Sequence, residues 1–273
     1  ERRQGRWEEA VAHLASRADL DPLASAPAWE AGVTYLYLRR YPDAERYFDR
    51  AIAAAPDFEL ALAFKAALYV LWDGDTTRAR RVIETATQKT TLGRLVGFLG
   101  PARWLLTSDT ARWPALDALT AADLDSDTTY FYVWKVEWNR ERGRTALMRA
   151  YGDSARRSVM KQLKEHPDDA RLHTILAIAY SGMGRPADAI RESERSVELL
   201  PISRDAYWGA DRRADLALMY AICGERDKAI DELDRLLQLP SPVSLPWLRL
   251  DPEWKGLWNE PRFQRLGTGR GET

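Results

Sequence analysis

The chain contains very little cysteine, little histidine and no long hydrophobic run. Of its 273 residues, one is cysteine and three are histidine. A single cysteine excludes a fold that depends on disulfide bonds. No apolar stretch reaches the roughly 18 residues of a membrane-spanning helix. These absences predict a folded protein with neither a disulfide framework nor a segment inserted in a membrane.

Net charge is also nearly absent. The chain has 40 basic and 41 acidic side chains, which gives a net charge of -1. A molecule of this kind has no global field to attract nucleic acid or an anionic membrane. Hydrophobic residues make up 45% of the chain, enough to form a core. We therefore expect no nucleic-acid partner, and a cytoplasmic location because no signal sequence is visible.

Internal repeats are the main positive feature of the sequence. Prolines, alanines and tyrosines recur 34 residues apart, in the pairs Pro22 and Pro56, Pro167 and Pro201, Ala10 and Ala44, Ala155 and Ala189, and Tyr35 and Tyr69. Between these markers each unit shows an apolar helical pattern, a short turn and a second helical pattern. The period predicts a series of two-helix units.

The best unit resembles the tetratricopeptide repeat. Between Ala28 and Pro56 it has the small and aromatic residues that this family places at fixed positions, namely Ala31, Gly32, Tyr35, Ala44, Phe48, Ala51 and Pro56. Small residues permit close helix crossing, and proline ends the second helix. The resemblance implies an all-α fold, a right-handed superhelix of helix pairs.

The repeat pattern also predicts boundaries. We expect a helical array over residues 1–240 and, after it, an irregular cap over 241–266 and a disordered tail over 267–273. The array divides into a half repeat at 1–22 and repeats at 25–58, 59–91, 92–124, 127–167, 168–201 and 205–240. Because the chain begins in mid-repeat and with Glu1, we expect it to be a piece of a longer protein.

The expected cap is rich in proline and tryptophan. It resembles the segment that ends tetratricopeptide regions of multidomain bacterial signalling proteins, including Ser/Thr kinases, adenylate cyclases and winged-helix regulators. The matching residues are Leu248, Arg249, Leu250, Asp251, Pro252, Leu257, Pro261, Arg262 and Phe263. We expect this segment to pack on the last helix pair, because a terminal repeat must cover its apolar face.

Residues that could carry chemistry are few. His166 and His173 have no cysteine or close histidine partner, and Cys223 follows an apolar stretch. The run Asp123-x-Asp125-x-Asp127 lacks the glycine and the last carboxylate of a calcium loop, so we interpret it as a turn and helix cap. Asp73-Gly74-Asp75 has the same interpretation. No nucleotide or phosphate motif is present. We predict no cofactor, no metal and no enzymatic activity.

A binding surface follows from the resemblance. In tetratricopeptide proteins the first helices line a concave groove that holds short peptides. The matching positions here are Trp29, Val33, Leu36, Ala63, Ala67, Val70, Val133, Glu137, Arg140, Thr174 and Ile178. The N-terminal half of this set is apolar, so it either binds an amphipathic or extended peptide or is filled from inside.

We therefore expect a non-catalytic protein-interaction module with a protein or peptide partner, from a larger signalling protein. The alternative is a domain that senses a ligand or peptide in the groove and regulates an attached effector.

Overall fold

The computed structural model of the chain describes residues 1–124 and 127–267. These residues form α-helices joined by short turns, and no strand occurs among them. Asp125, in the aspartate run, and residues 268–273, in the expected tail, lie outside the described part. Contacts divide the chain into two compact units. Unit 1 consists of residues 1–119 and 240–252, and unit 2 consists of residues 120–239 and 253–273, of which 125, 126 and 268–273 are not described.

Unit 1 begins with a single helix and two regular helix pairs. Its helices are α1 (Trp7–Leu20), α2 (Ser25–Tyr37), α3 (Tyr41–Ala54), α4 (Glu59–Trp72), α5 (Thr76–Thr87), α6 (Leu92–Phe98), α7 (Arg103–Thr107) and α8 (Trp113–Ala118). α2 packs on α3, and α4 packs on α5. The predicted repeats at 25–58 and 59–91 each contain one of these pairs.

Unit 2 contains three helix pairs. They are α9 (Thr128–Glu141) with α10 (Thr145–Leu163), α11 (Ala170–Gly182) with α12 (Pro186–Leu199), and α13 (Trp208–Cys223) with α14 (Arg226–Leu236). Two short helices follow, α15 (Leu245–Leu250) in unit 1 and α16 (Pro261–Gln264) in unit 2. The predicted fold class, an all-α array of helix pairs, is confirmed for the described residues.

Residues 92–124 differ from the regular hairpin that the period predicts. The segment is broken into α6, α7, α8 and single 3-10 turns. Gly100 has a positive φ of 45°, and Pro101 follows it without a backbone donor. A continuous first helix cannot pass this dipeptide, so the segment packs as short pieces around buried leucines.

Aspartate caps begin several of the helices. Asp75 accepts hydrogen bonds from the backbone of Thr77 and Arg78, which confirms the predicted cap at this turn. Asp127 caps α9 in the same way, as the interpretation of the aspartate run required, and Asp169 caps α11. Such a cap stabilises a helix by about 1 kcal/mol because it satisfies otherwise unpaired amides.

Helices cross closely where glycine or alanine replaces a larger side chain. A Cβ atom added to Gly152 of α10 would lie 2.8 Å from the carbonyl oxygen of Ala179 of α11. One added to Gly182 would lie 2.7 Å from Cγ1 of Val136, and one added to Gly32 would lie 2.6 Å from the ring of Phe48. The small residues therefore set the distances both within pairs and between pairs.

Tyrosines on first helices connect a pair to the one before it. The hydroxyl of Tyr69 on α4 donates to Glu45 of α3 at 2.6 Å, and that of Tyr220 on α13 donates to Glu194 of α12 at 2.7 Å. Burial and the accepting carboxylate raise the pKa of both phenols. The guanidinium of Arg78 lies 4.4 Å from the centre of the Tyr69 ring. These bonds fix the register of successive pairs.

The turn inside each pair needs one residue in the left-handed region. Glycine occupies that position after four of the first helices, at Gly74, Gly143, Gly184 and Gly224, with φ between 65° and 88°. After α2 the same position holds Arg39, with φ 57°. An L-residue with a Cβ pays about 1 kcal/mol for this conformation, so the arginine requires a separate explanation.

The C-terminal segment is not a single cap on the last pair. Residues 241–252 pack within unit 1, where α15 contacts α4. Only residues 253–267 lie with the last pair, where Arg262 bridges Asp227 and Asp231 of α14 at 2.7 and 2.5 Å. The expectation that the whole segment covers the last pair is therefore wrong for its first half, because α4 and the turns beside it bind that half.

The close crossing of α10 and α11 is directly testable. We expect Gly152→Ala to lower the free energy of unfolding by about 1–3 kcal/mol, because the new methyl group meets backbone that cannot rotate away. Gly256→Ala is the matched control, since a Cβ there meets nothing within 4 Å. Urea unfolding of both variants measures the difference. Equal stabilities would contradict a tight crossing at Gly152.

Candidate functional site

The apolar half of the predicted groove lies in unit 1 and is closed. Its buried members are Val33, Leu36, Ala63, Ala67 and Val70. Trp29 is half-buried, with its ring against those of Phe58 and Phe64 at 5.9 and 5.6 Å between centres. α4 is in contact with α6, with the turn at 100–102 and with α15. Neighbouring elements of unit 1 therefore bury most of the side chains of this half.

The other half of the predicted groove lies in unit 2 and is partly open. Val133 and Thr174 are buried, whereas Glu137, Arg140 and Ile178 are half-exposed. The three first helices of the unit lie side by side, since α11 contacts both α9 and α13. We use "the α9–α11–α13 face" for the surface formed by Glu137, Arg140, Ile178, Arg212 and Asp215.

Arg212 holds this face together. Its Nη1 donates to the hydroxyl of Thr174 at 3.2 Å, and its Nη2 lies 3.2 Å from the carboxylate of Asp215. The Thr174 hydroxyl is also hydrogen-bonded to Ser196 of α12 at 2.8 Å. An arginine whose two terminal nitrogens both have a partner is held in one orientation, so Arg212, Thr174 and Asp215 form an ordered part of this face.

Asp215 has the most perturbed carboxylate of the face. Its side chain keeps 39% of its surface accessible, yet the surrounding helices displace much of its hydration. This desolvation raises the pKa above the ordinary value of 3.8, and the carboxylate of Glu137 adds to the rise, while Arg212 opposes it. Accessible groups with a perturbed pKa are frequent at binding sites.

Arg140 supplies a positive charge near the other end of the face. Among the described residues, its guanidinium has no carboxylate at ion-pair distance. It lies near Cys223, whose thiol pKa is raised by burial while the Arg140 charge opposes that rise. A raised pKa keeps the thiol protonated, so Cys223 is a poor nucleophile. Arg140 is therefore the cation of this face that remains available to an anionic group.

An exposed aromatic side chain begins α13. Trp208 keeps 47% of its surface accessible, and its ring meets that of Tyr207 edge-on at 4.7 Å between centres. Trp208, Arg212 and Asp215 occupy positions i, i+4 and i+7 of one helix, which places them on one side of it. Sequence reasoning missed all three, although that spacing was a usable signal.

The other candidate residues have structural partners. His173 binds Glu192 through Nδ1 at 2.8 Å and the carbonyl of Pro167 through Nε2 at 3.0 Å.

The described residues contain no group of three or more histidine, cysteine, aspartate or glutamate side chains placed to hold a metal ion. None of the helices in the described ranges has both the length and the apolar character needed to cross a bilayer.

No protein-family model and no curated protein matches this chain. Solved structures with a similar arrangement include the APC/C hetero-tetramer Cut9–Hcn1, with 18% identity, a TM-score of 0.48 and coverage of 94% of this chain and 46% of that chain. The P58(IPK) TPR domain has 13% identity, a TM-score of 0.31 and coverage of 86% and 56%.

Human IFIT1, solved as a dimer with m7Gppp-AAAA, has 16% identity, a TM-score of 0.39 and coverage of 86% and 47%. The chain thus spans about half the length of these structures. At such identities and TM-scores the likenesses identify neither a partner nor an activity for this chain.

The electrostatics of Asp215 give a prediction with a defined sign. The carboxyl group of Asp215 has a higher pKa in the folded chain than in the unfolded chain. As pH rises, the unfolded chain therefore loses the Asp215 proton at a lower pH than the folded chain does. Between the two pKa values the free energy of unfolding falls. Asp215→Asn removes that fall. We therefore expect the stability of the variant relative to wild type to increase from about pH 3 to pH 7.

Urea unfolding at several pH values measures this difference. Glu165→Gln, at an exposed position after α10, controls for the loss of one negative charge. A relative stability that decreases with pH would show instead that the ion pair with Arg212 outweighs desolvation.

Proposed function

We propose that the chain is a non-catalytic protein-interaction module and that the α9–α11–α13 face binds a peptide segment of its partner. The observation that carries the proposal is Arg140, a half-exposed guanidinium without an ion pair among the described residues, on a face that already holds organised charges. Arginine binds carboxylates in a bidentate manner, so the segment carries an acidic side chain or a terminal carboxylate.

The rest of the face adds complementary contacts. Glu137 and Asp215 provide acceptors for peptide amides or for a basic side chain, and Ile178 provides an apolar contact beside them. Charged groups of both signs select the register of a ligand more than they add affinity. The near-zero net charge of the chain agrees with short-range recognition of this kind.

The proposal includes a role in signalling, as part of a larger bacterial protein in the cytoplasm. Its support is the resemblance at Leu248–Pro252 and Pro261–Phe263. These residues also have packing roles, since Leu248 and Phe263 are buried and Asp251 accepts a hydrogen bond from the Trp247 indole at 2.8 Å. The support for the signalling context is therefore the resemblance alone.

A sensing function is the second candidate, and one observation favours it. The face is built from the first helices of all three pairs of unit 2. A peptide or small ligand that contacts α9, α11 and α13 together stabilises the arrangement of the three helix pairs that it binds best, relative to other arrangements. Occupancy can then regulate an attached effector.

Selection from a random displayed peptide library against the full chain tests the binding proposal. We expect enriched peptides to share an acidic residue next to an apolar one. Arg140→Glu should weaken their binding at least about tenfold, because it replaces attraction to a carboxylate by repulsion.

Arg149→Glu is the matched control, since Arg149 is exposed on α10, which is not one of the three helices of the face. Equal loss of affinity in both variants, or no loss in Arg140→Glu, would contradict the proposed surface.

A further inference from the structure

We infer that residues 241–252 are an internal peptide ligand of unit 1, and that Arg39 is the residue that selects them. We call these residues the strap, and we call Tyr37, Arg39, Tyr41 and Gly74 the seat. The inference goes beyond the proposed function, because the seat belongs to unit 1 whereas the α9–α11–α13 face belongs to unit 2.

Hydrogen bonds hold the beginning of the strap. The amide of Ser241 donates to the carbonyl of Tyr37 at 3.2 Å. Arg39 donates through Nη2 to the Ser241 hydroxyl and to the Val243 carbonyl, each at 3.1 Å. The seat thus forms hydrogen bonds with the backbone of the strap at two places, the Ser241 amide and the Val243 carbonyl, as a peptide-binding site does.

Apolar contacts hold the rest of the strap. Val243 and Leu248 are almost completely buried. A Cβ atom added to Gly74 would lie 2.8 Å from Cδ1 of Leu250 and 3.6 Å from Cβ of Pro246. Glycine in the turn between α4 and α5 therefore leaves the room that the leucine occupies. The strap contacts the turns of two successive helix pairs.

The side chains of Tyr41 and Ser244 make a further link. Ser244 lies near the Tyr41 phenol, and Tyr41 is stacked on Trp72 at 6.0 Å between ring centres. Burial raises the pKa of the Tyr41 phenol, which the charge of Arg39 and the Ser244 side chain oppose. The seat is therefore a continuous surface from α3 to the end of α4.

Backbone geometry at Arg39 supports a role in recognition. Four other pairs have glycine at the left-handed turn position, and this pair, whose turn contacts the strap, has arginine with φ 57°. The turn itself does not require arginine, since glycine adopts this conformation without steric cost. The hydrogen bonds from its guanidinium to the strap explain why arginine, and not glycine, occupies position 39.

The seat fits a particular chemistry. The part of the strap from Ser241 to Leu248 has no charged side chain and contains prolines at 242 and 246. Proline restricts the free segment and so lowers the entropy that binding must overcome. The ligand class is an uncharged segment with two prolines four residues apart and aliphatic anchors, supplied here by the chain itself.

Hydrogen exchange of the full chain, followed by mass spectrometry, tests the inference. In Arg39→Gly the turn keeps its conformation, but the strap loses two hydrogen bonds. We expect the amides of residues 243–252 to exchange at least about tenfold faster than in wild type, with protection of α2 and α3 unchanged. Ser241→Ala, which removes one acceptor and leaves the Val243 carbonyl, should give a smaller increase.

Arg46→Ala is the matched control, because Arg46 pairs with Asp43 on α3 and makes no contact with the strap. Unchanged exchange of residues 243–252 in Arg39→Gly would overturn the role of Arg39. Sedimentation of the wild type shows whether the strap binds the seat of its own chain or that of a second copy. A monomer whose strap is protected from exchange supports an internal ligand, whereas protection found only in a dimer would show that a second copy supplies the strap.

Discussion

The close approach of helices through small side chains is the constraint on which the other contacts depend. At Gly32, Gly152 and Gly182 even one additional carbon atom would overlap a neighbouring ring, carbonyl or methyl group. Because these crossings fix the helix positions, the Tyr69 and Tyr220 hydroxyls reach carboxylates of the preceding pair. The same spacing places Arg212 of α13 within hydrogen-bond distance of Thr174 on α11. The α9–α11–α13 face is thus a consequence of how tightly the pairs pack.

Much of this fold is predictable from the sequence because each helix pair is a local structure. Alanine, tyrosine and proline at a fixed period reveal the pair, and the polar turn reveals where the chain reverses. The segment 92–124 was mispredicted because its length matches a repeat while Gly100 and Pro101 prevent a continuous helix. The length of the segment could not show this break, because a glycine and a proline end a helix even where the 34-residue period predicts one.

The site was less predictable, because burial depends on distant parts of the chain. Val33 and Val70 look like groove residues from their position in the repeat, but the elements that contact α4 include α15, more than 170 residues later. No local pattern shows where such a segment returns. Glu137 and Arg140 were predicted from the groove positions of the resembled family, and Arg212 was missed because the predicted set contained no residue of α13.

Arg39 and Arg140 show two uses of the same side chain. Arg39 already holds an uncharged segment through backbone and hydroxyl groups, so the seat is occupied. Arg140 has no such partner among the described residues, and this difference is the basis for the ligand site proposed in unit 2. The apolar half of the predicted groove is buried for a separate reason, namely its packing within unit 1, so the polar half is the proposed place of recognition.

The most direct test of this account is a hydrogen-exchange footprint of the full chain with a bound acidic peptide. The account predicts slower exchange in α9, α11 and α13, with exchange in α2–α5 unchanged. Protection confined to unit 1, or to the outer helices α10, α12 and α14, would contradict it.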